Sequence, residues 1–230
     1  MIFRQLLEPE SSTYTYLVGC EAAGRALLID PVLETVERDL ALLEALGLKL
    51  DVTLETHVHA DHVTGAATLR ERTGCRIAYP APSAVEGAEL LLGDGDVVEV
   101  GRLRLRALAT PGHTSESFCY YDEAAGRLFT GDTLLIDGCG RADFQNGDSG
   151  ALYRSVHEKL FALPDETLVY PGHDYQGRFV SSIAQEKARN PRLGGGRTGE
   201  EFAAIMAALD LPRPKKIDTA VPANRRCGAV

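Results

Sequence analysis

The segment THVHADH, residues 56–62, constrains this chain more than any other. Three imidazoles and a carboxylate within six residues have no packing rationale, because polar rings of this kind are costly to bury without partners. The block follows the apolar run Leu50–Glu55, which reads as a buried strand. Three further motifs repeat the arrangement: His113 in TPGHTSES, Asp132 in FTGDTLL and His173 in YPGHDY, each after a run that reads as a strand. Loops beyond rigid strand ends can converge on one point. Imidazole and carboxylate together suit zinc, iron or manganese. Gly112, Gly131 and Gly172 each precede one of these groups, where glycine permits a tight turn and close backbone approach.

Residue chemistry alone suggests two metals. His57, His59 and His113 can hold one ion, and Asp61, His62 and His173 another, with Asp132 bridging and a hydroxide between the ions as nucleophile. The sixth histidine, His157, lies on the outer part of an expected helix and is expected to have no role.

The surrounding pattern is mixed α and β. Strands are expected in the first 30 residues, where Tyr14, Tyr16 and Val18 alternate with Thr15 and Leu17, and over Arg25–Val32. A helix over Glu34–Leu46 places Val36, Leu40, Leu43 and Leu46 on one face, with Gly47 as its stop. A second helix is expected from about Asp61 to Thr73. Strands follow at Arg76–Tyr79, Asp96–Val100, Leu103–Ala109, Ser117–Tyr121 and Arg127–Leu135. Then come a helix over Gly150–Leu163, a strand over Thr167–Tyr170 and two closing helices. The last opens on a capping box of Thr198 and Glu201 and carries Phe202, Ile205, Met206 and Leu209 on one face. This order suits an α/β fold of two mixed sheets with helices on the outer faces, an αββα sandwich. A length of 230 residues favours one domain, with helices from about residue 178 packed on it.

A formal net charge of -9 argues against general nucleic-acid binding. No apolar run approaches the roughly 20 residues that cross a bilayer, and the start lacks a signal-peptide layout, so the expected location is cytoplasmic. Cysteines 20, 75, 119, 139 and 227 form no CxxC pair, and isolated reduced thiols are expected.

HxHxDH, a Gly-His turn, a Gly-Asp strand end and a last Gly-His turn together resemble the metallo-β-lactamase superfamily across residues 57–173. GCGRADFQNGD (138–148), SVHEKLFALP (155–164), YPGHDYQG (170–177) and AVPANRRCG (220–228) are similar to the persulfide dioxygenases within it. That resemblance implies one Fe(II) per chain on His57, His113 and Asp132, with His59, Asp61, His62, His173 and Asp174 as groups that orient those ligands. It implies glutathione persulfide and O₂ as substrates, sulfite and glutathione as products, and a homodimer. It further implies that a separate sulfurtransferase or quinone oxidoreductase supplies the persulfide. Two histidines and one carboxylate match the composition of non-haem iron oxygenase sites. The alternative is a glyoxalase II-like thioester hydrolase with two metals. Its relatives carry a longer C-terminal helical region, whereas about 57 residues (230 minus 173) follow His173 here.

On the substrate side, Arg141 is the first candidate, since a guanidinium can hold a glutathione carboxylate at two points. An ion pair with Asp143 or Asp174 is the equal alternative. Tyr175 is expected to act in catalysis and substrate binding, with its hydroxyl near the metal or substrate, over the alternative of a half-buried core residue; Phe144 is a candidate to line the pocket, with core packing the equal alternative. Cys139 and Cys227 are expected to be structural thiols, because no base stands near them in sequence.

Overall fold

The computed structural model describes residues 1–229. The chain forms two compact units. One comprises Met1–Leu92, Val97–Arg104 and the segment from Arg213, and the other comprises Gly93–Asp96 and Leu105–Pro212.

The first unit is built on a six-stranded sheet in sequence order: β1 (Ile2–Glu8), β2 (Thr13–Cys20), β3 (Arg25–Ile29), β4 (Lys49–Leu54), β5 (Arg76–Pro80) and β6 (Leu90–Leu92). The first three strands pair antiparallel, and β3 to β6 pair parallel. Parallel neighbours need crossovers, which α1 (Val36–Ala45) and α2 (Ala66–Thr73) supply. β2 is buried at all eight positions, so both of its faces are covered. Leu17, Leu28, Leu43, Leu50 and Leu69 form the main core here. A smaller cluster joins Val58, Ala66, Ile77 and Tyr79 to Cys227. The short strand β7 (Val97–Val100) also belongs to this unit's stretch of chain.

In the second unit, β8 (Leu103–Ala109), β9 (Phe118–Asp122), β10 (Arg127–Gly131), β11 (Leu168–Pro171) and β12 (Ser181–Ser182) pair in the order β12-β11-β10-β9-β8. Only β10 and β11 run parallel. The connection between them carries α3 (Ser149–Arg154), whose Leu152 packs with Leu108, Cys119, Leu128, Val156 and Phe202. α4 (Ile183–Arg189) and α5 (Gly199–Ala207) follow, and α6 (Ile217–Asn224) returns to the first unit. Thr198 and Glu201 form the expected capping box on α5. Among the described residues no helix is long and apolar enough to cross a membrane.

The short strands β6 and β12 are absent from the sequence reading, and four further elements differ from it. α2 starts at Ala66 rather than near Asp61, because side-chain hydrogen bonds hold the preceding residues as a loop. The strand expected to reach Leu135 ends at Gly131, whose φ of 47° turns the chain. The helix expected over Gly150–Leu163 leaves α geometry after Arg154 and continues as a π turn, Ser155–Leu160. Its wider hydrogen bonding is seen where the Phe161 N–H donates to the Val156 carbonyl. The turn presents Ser155 to the Pro111 carbonyl and His157 to the Leu193 carbonyl. The two closing helices expected are three, since α6 follows α5; Pro222 inside α6 masks its pattern.

α1 buries Val36 and Leu43, but also Asp39. Asp39 Oδ1 accepts from Arg38 Nε at 2.9 Å, while Oδ2 is buried without a hydrogen-bond partner. Burial therefore pushes this carboxyl up from 3.8 to about 6, against the pull of Arg38. The folded state holds the proton more tightly than the unfolded chain, so this group's contribution is best below pH 3.8 and is lost as pH rises to about 6. Asp39→Asn removes that loss. Urea unfolding should show the variant more stable than the parent at pH 7.5, by on the order of 1–2 kcal/mol, with the difference shrinking toward pH 4. A variant less stable at pH 7.5 would mean that Arg38 outweighs desolvation.

Candidate functional site

In the first unit the histidine block forms a loop after β4. His57, His59 and His62 are all buried, and Asp61 is half-buried. Asp30, just beyond β3 with a φ of 49°, organises the loop. Its Oδ1 accepts the Thr56 N–H at 2.7 Å and its Oδ2 accepts the Thr56 hydroxyl at 2.8 Å. His59 Nε2 lies 3.1 Å from Asp30 Oδ1 and 3.5 Å from Glu55 Oε2. Burial opposes charge on the His59 ring, but Asp30 and Glu55 outweigh it and hold its proton well above the usual imidazole range. Burial likewise pushes the Glu55 carboxyl up. The His57 Nδ1 lies 3.0 Å from the Thr56 hydroxyl. His62 Nδ1 lies 2.9 Å from Asp61 Oδ2 and 3.3 Å from the Thr13 hydroxyl.

These contacts engage one nitrogen of each ring. The His57 and His59 ring centroids are 4.1 Å apart, and those of His59 and His62 are 4.4 Å apart. His59 Nδ1 and His62 Nε2 are buried and have no hydrogen-bond partner. His59, Asp61 and His62 can each offer a ligand atom, all within 4.8 Å of one another. A buried ring nitrogen without a partner is costly in protein alone and is what a cation satisfies, replacing at His59 the proton that Asp30 and Glu55 favour. The donor set therefore fits a metal.

The second unit holds His113, Asp132 and His173. His113 follows β8, Asp132 follows β10 and His173 follows β11, each at a strand end as the sequence implies. His113 Nδ1 lies 2.6 Å from the Arg141 carbonyl. A carbonyl only accepts, so Nδ1 carries the hydrogen and Nε2 carries the lone pair in the neutral ring. His113 Nε2 is 3.6 Å from Asp132 Oδ2, and Asp132 Oδ1 is 2.7 Å from His173 Nδ1. His173 thus holds one carboxylate oxygen and turns the other toward His113, the relation by which outer groups orient metal ligands. Glycine makes this approach possible. A Cβ on Gly172 would stand 2.7 Å from Asp132 Oδ1, and one on Gly140 would stand 2.7 Å from His113 Nδ1.

Arg141 makes the Asp143 ion pair, one of its two expected alternatives. Nε and Nη2 donate to the two Asp143 oxygens at 2.6 and 2.7 Å, and Nη1 donates to the Pro212 carbonyl at 2.6 Å. Its guanidinium carbon sits 4.6 Å from the Phe144 ring centroid. Arg141 and Asp143 line a pocket of about 190 Å³ with Met206, Leu209 and Leu211. Asp174 pairs instead with Arg178, at 2.8 and 3.0 Å. Tyr175 is 76% exposed, and its ring stacks on His173 with centroids 6.0 Å apart. His157 stacks on Tyr153 at 4.0 Å. All five cysteines are free and buried. Burial pushes Cys139 to about 11 and Cys227 to about 12, so both are protonated thiols at neutral pH.

Comparison with known proteins gives this geometry a family. The metallo-beta-lactamase superfamily profile matches residues 9–173. The mitochondrial persulfide dioxygenase ETHE1 of Mus musculus is 48% identical over 99% of this chain and 89% of its own length. The crystal structure of ETHE1 from Myxococcus xanthus is 55% identical, with a TM-score of 0.96 over 100% of both chains. A hydroxyacylglutathione hydrolase of Rhodospirillum rubrum is 40% identical over 80% of this chain and 70% of its own length. The chain belongs to the persulfide dioxygenase family of the metallo-β-lactamase superfamily. It has that superfamily's α/β fold of two mixed sheets with helices, as the sequence implied.

Sequence reasoning missed Asp30, Thr56, Thr13 and Glu55 as parts of this persulfide dioxygenase family site. Asp30 stands in an Asp-Pro pair that reads only as a strand stop; its carboxylate becomes meaningful once β3 and β4 are known to be neighbours. For Arg141, every guanidinium nitrogen already donates within the protein. Arg141→Ala should therefore lower Tm and leave KM for the thiol substrate unchanged. Arg141→Lys should not restore stability, since an ammonium cannot make the two-point fork. A raised KM at unchanged Tm would assign the guanidinium to substrate.

Proposed function

We propose that this chain is an iron-dependent persulfide dioxygenase that converts glutathione persulfide, O₂ and water to sulfite and glutathione. Three mammalian relatives that match 99% of the chain are named persulfide dioxygenases. The observation that carries the ligand assignment is the His113–Asp132–His173 relay. His113 is fixed in the tautomer that presents Nε2, and His173 fixes the carboxylate. We assign one Fe(II) to His57, His113 and Asp132. Thr56 engages His57 Nδ1, so Nε2 is the nitrogen assigned to the ion. Three protein ligands leave coordination positions for substrate. Iron(II) held there supplies the one-electron redox chemistry that dioxygen needs to react with a closed-shell sulfur.

The protein's own residues then do the positioning. His59, Asp61, His62, His173 and Asp174 hold loops and ligands in place. Phe144 and the exposed ring of Tyr175 are the assigned substrate-side groups, with Arg141 beside Phe144 holding Asp143. The whole chain acts as one catalytic domain on this reading. A single family profile running from residue 9 to 173 through both units supports that. A homodimer, a separate enzyme that supplies the persulfide, and a cytoplasmic setting complete the proposal. Five cysteines without a disulfide suit a reducing compartment.

One observation favours the two-metal hydrolase. His59 Nδ1 and His62 Nε2 lack hydrogen-bond partners, and a second ion would satisfy both. Metal count and turnover separate the readings. Anaerobically purified, iron-loaded protein should hold about one iron per chain and take up O₂ with sulfite release when given glutathione persulfide. Two zinc ions per chain, no O₂ uptake and cleavage of a glutathione thioester would establish the hydrolase.

The ligand assignment has its own test. His113→Ala should lose most of the bound iron and lower kcat/KM by at least about a thousandfold. Its fold should persist by circular dichroism. Full iron content in that variant would remove His113 from the ligand set.

A further inference from the structure

The residues that fix the histidine loop from outside are not confined to its neighbours in sequence. Asn224, the last residue of α6, is fully buried and spends its whole side chain on that loop. Its Nδ2 donates to the His59 carbonyl at 2.9 Å and to the His62 carbonyl at 2.8 Å. Its Oδ1 accepts the Thr64 N–H at 2.9 Å. Two carbonyl partners require the amide nitrogen and one N–H partner requires the oxygen, so only one orientation of the amide satisfies all three. These bonds span 160 residues or more of sequence.

The segment after Asn224 is locked to the same place. The Ala67 N–H donates to the Cys227 carbonyl at 3.0 Å, and the Glu86 N–H donates to the Arg225 carbonyl at 2.9 Å. Cys227 Sγ donates to the Glu86 carbonyl at 3.3 Å and packs with Val58, which lies between His57 and His59. Gly228 lies against Thr64, where a Cβ would come within 2.2 Å of its carbonyl. Before the helix, Lys216 pairs with Glu10 and Glu34, each at 3.1 Å.

We propose that Asn224 is a positioning residue of the metal loop, and that docking of the segment 217–229 and metal binding are thermodynamically coupled. The physical basis is linkage. The loop can present His57, His59 and His62 together only while the carbonyls of 59 and 62 and the amide of 64 are pinned. A loop released from Asn224 must be reordered at the moment of binding, and the metal affinity falls by that amount. By reciprocity the metal must tighten the segment by the same factor. This inference rests on the metal-site reading, but not on which metal or reaction is assigned.

Asn224→Asp is the informative change. It keeps an oxygen for the Thr64 N–H, removes both donors and sets a carboxylate against two carbonyls. Fe(II) and Zn(II) affinities, measured by chelator competition in the absence of oxygen, should each fall about tenfold to a hundredfold. The rise in Tm on metal loading should shrink with them. In the parent protein, metal loading should slow hydrogen exchange over residues 217–229. Parental affinity for both metals in Asn224→Asp, or exchange over 217–229 that ignores the metal, would overturn the coupling. A purely structural role would lower Tm equally with and without metal. If Asn224→Asp does not fold, the exchange experiment on the parent still decides. A parent that holds two zinc ions and consumes no oxygen would sink the dioxygenase reading and leave this comparison standing.

Discussion

The carboxylate of Asp30 is the interaction on which the histidine loop depends. Burying three imidazoles side by side is unfavourable unless each ring has a partner. Asp30 supplies one for His59 and fixes the backbone and hydroxyl of Thr56, which in turn engages His57. A single carboxylate thus sets two of the three rings. Its location follows from the fold. Asp30 closes β3, the loop leaves β4, and those strands are parallel neighbours with Ile29 opposite Leu54. Parallel strands end at the same edge, so the acid from one meets the histidines from the next.

The second unit solves the same problem with different partners. His113 gives its Nδ1 hydrogen to a backbone carbonyl, and Asp132 receives His173 on one oxygen. In both units the outer contact engages one polar atom and aims the other. This explains why glycine recurs beside the ligands. The contacts to Asp132 and His113 need backbone closer than a side chain at 172 or 140 would allow. It also explains why Arg141 matters without a free donor. Its fork to Asp143 holds the loop whose own carbonyl orients His113.

The candidate ligands were legible because each sits in a compact motif after an apolar run, and strand ends can be read from local pattern. The partners were not. Asp30 acts across 29 residues and Asn224 across 165, and local pattern carries no information about pairs that the topology brings together. The same limit accounts for α2. Helical periodicity suggests a start near Asp61, but Asn224 and Asp30 hold residues 56–64 in loop geometry and delay it to Ala66. Pro222 hid α6, and the π turn after Arg154 kept an apolar spacing that α periodicity also fits.

Ring chemistry narrows what this site can be. His59 has its Nε2 hydrogen held by two carboxylates, and His62 has Nδ1 held by Asp61 and Thr13. The inward nitrogens, His59 Nδ1 and His62 Nε2, have no hydrogen-bond partner in the protein, and a cation at His59 Nδ1 takes the place of the proton that Asp30 and Glu55 favour there. Such nitrogens are compatible with a second cation as well as with an ordered water. What surrounds the ligand side chains sets their aim: His173 turns Asp132, and Asn224 of α6 pins the carbonyls of His59 and His62. A carboxylate bridges two ions through both oxygens or through one, so what the His173 contact fixes is which oxygen is turned toward the ligand ring. The 2.7 Å contact between His173 Nδ1 and Asp132 Oδ1 therefore sets Oδ2 toward His113 Nε2, a pairing that joins two candidate ligand atoms.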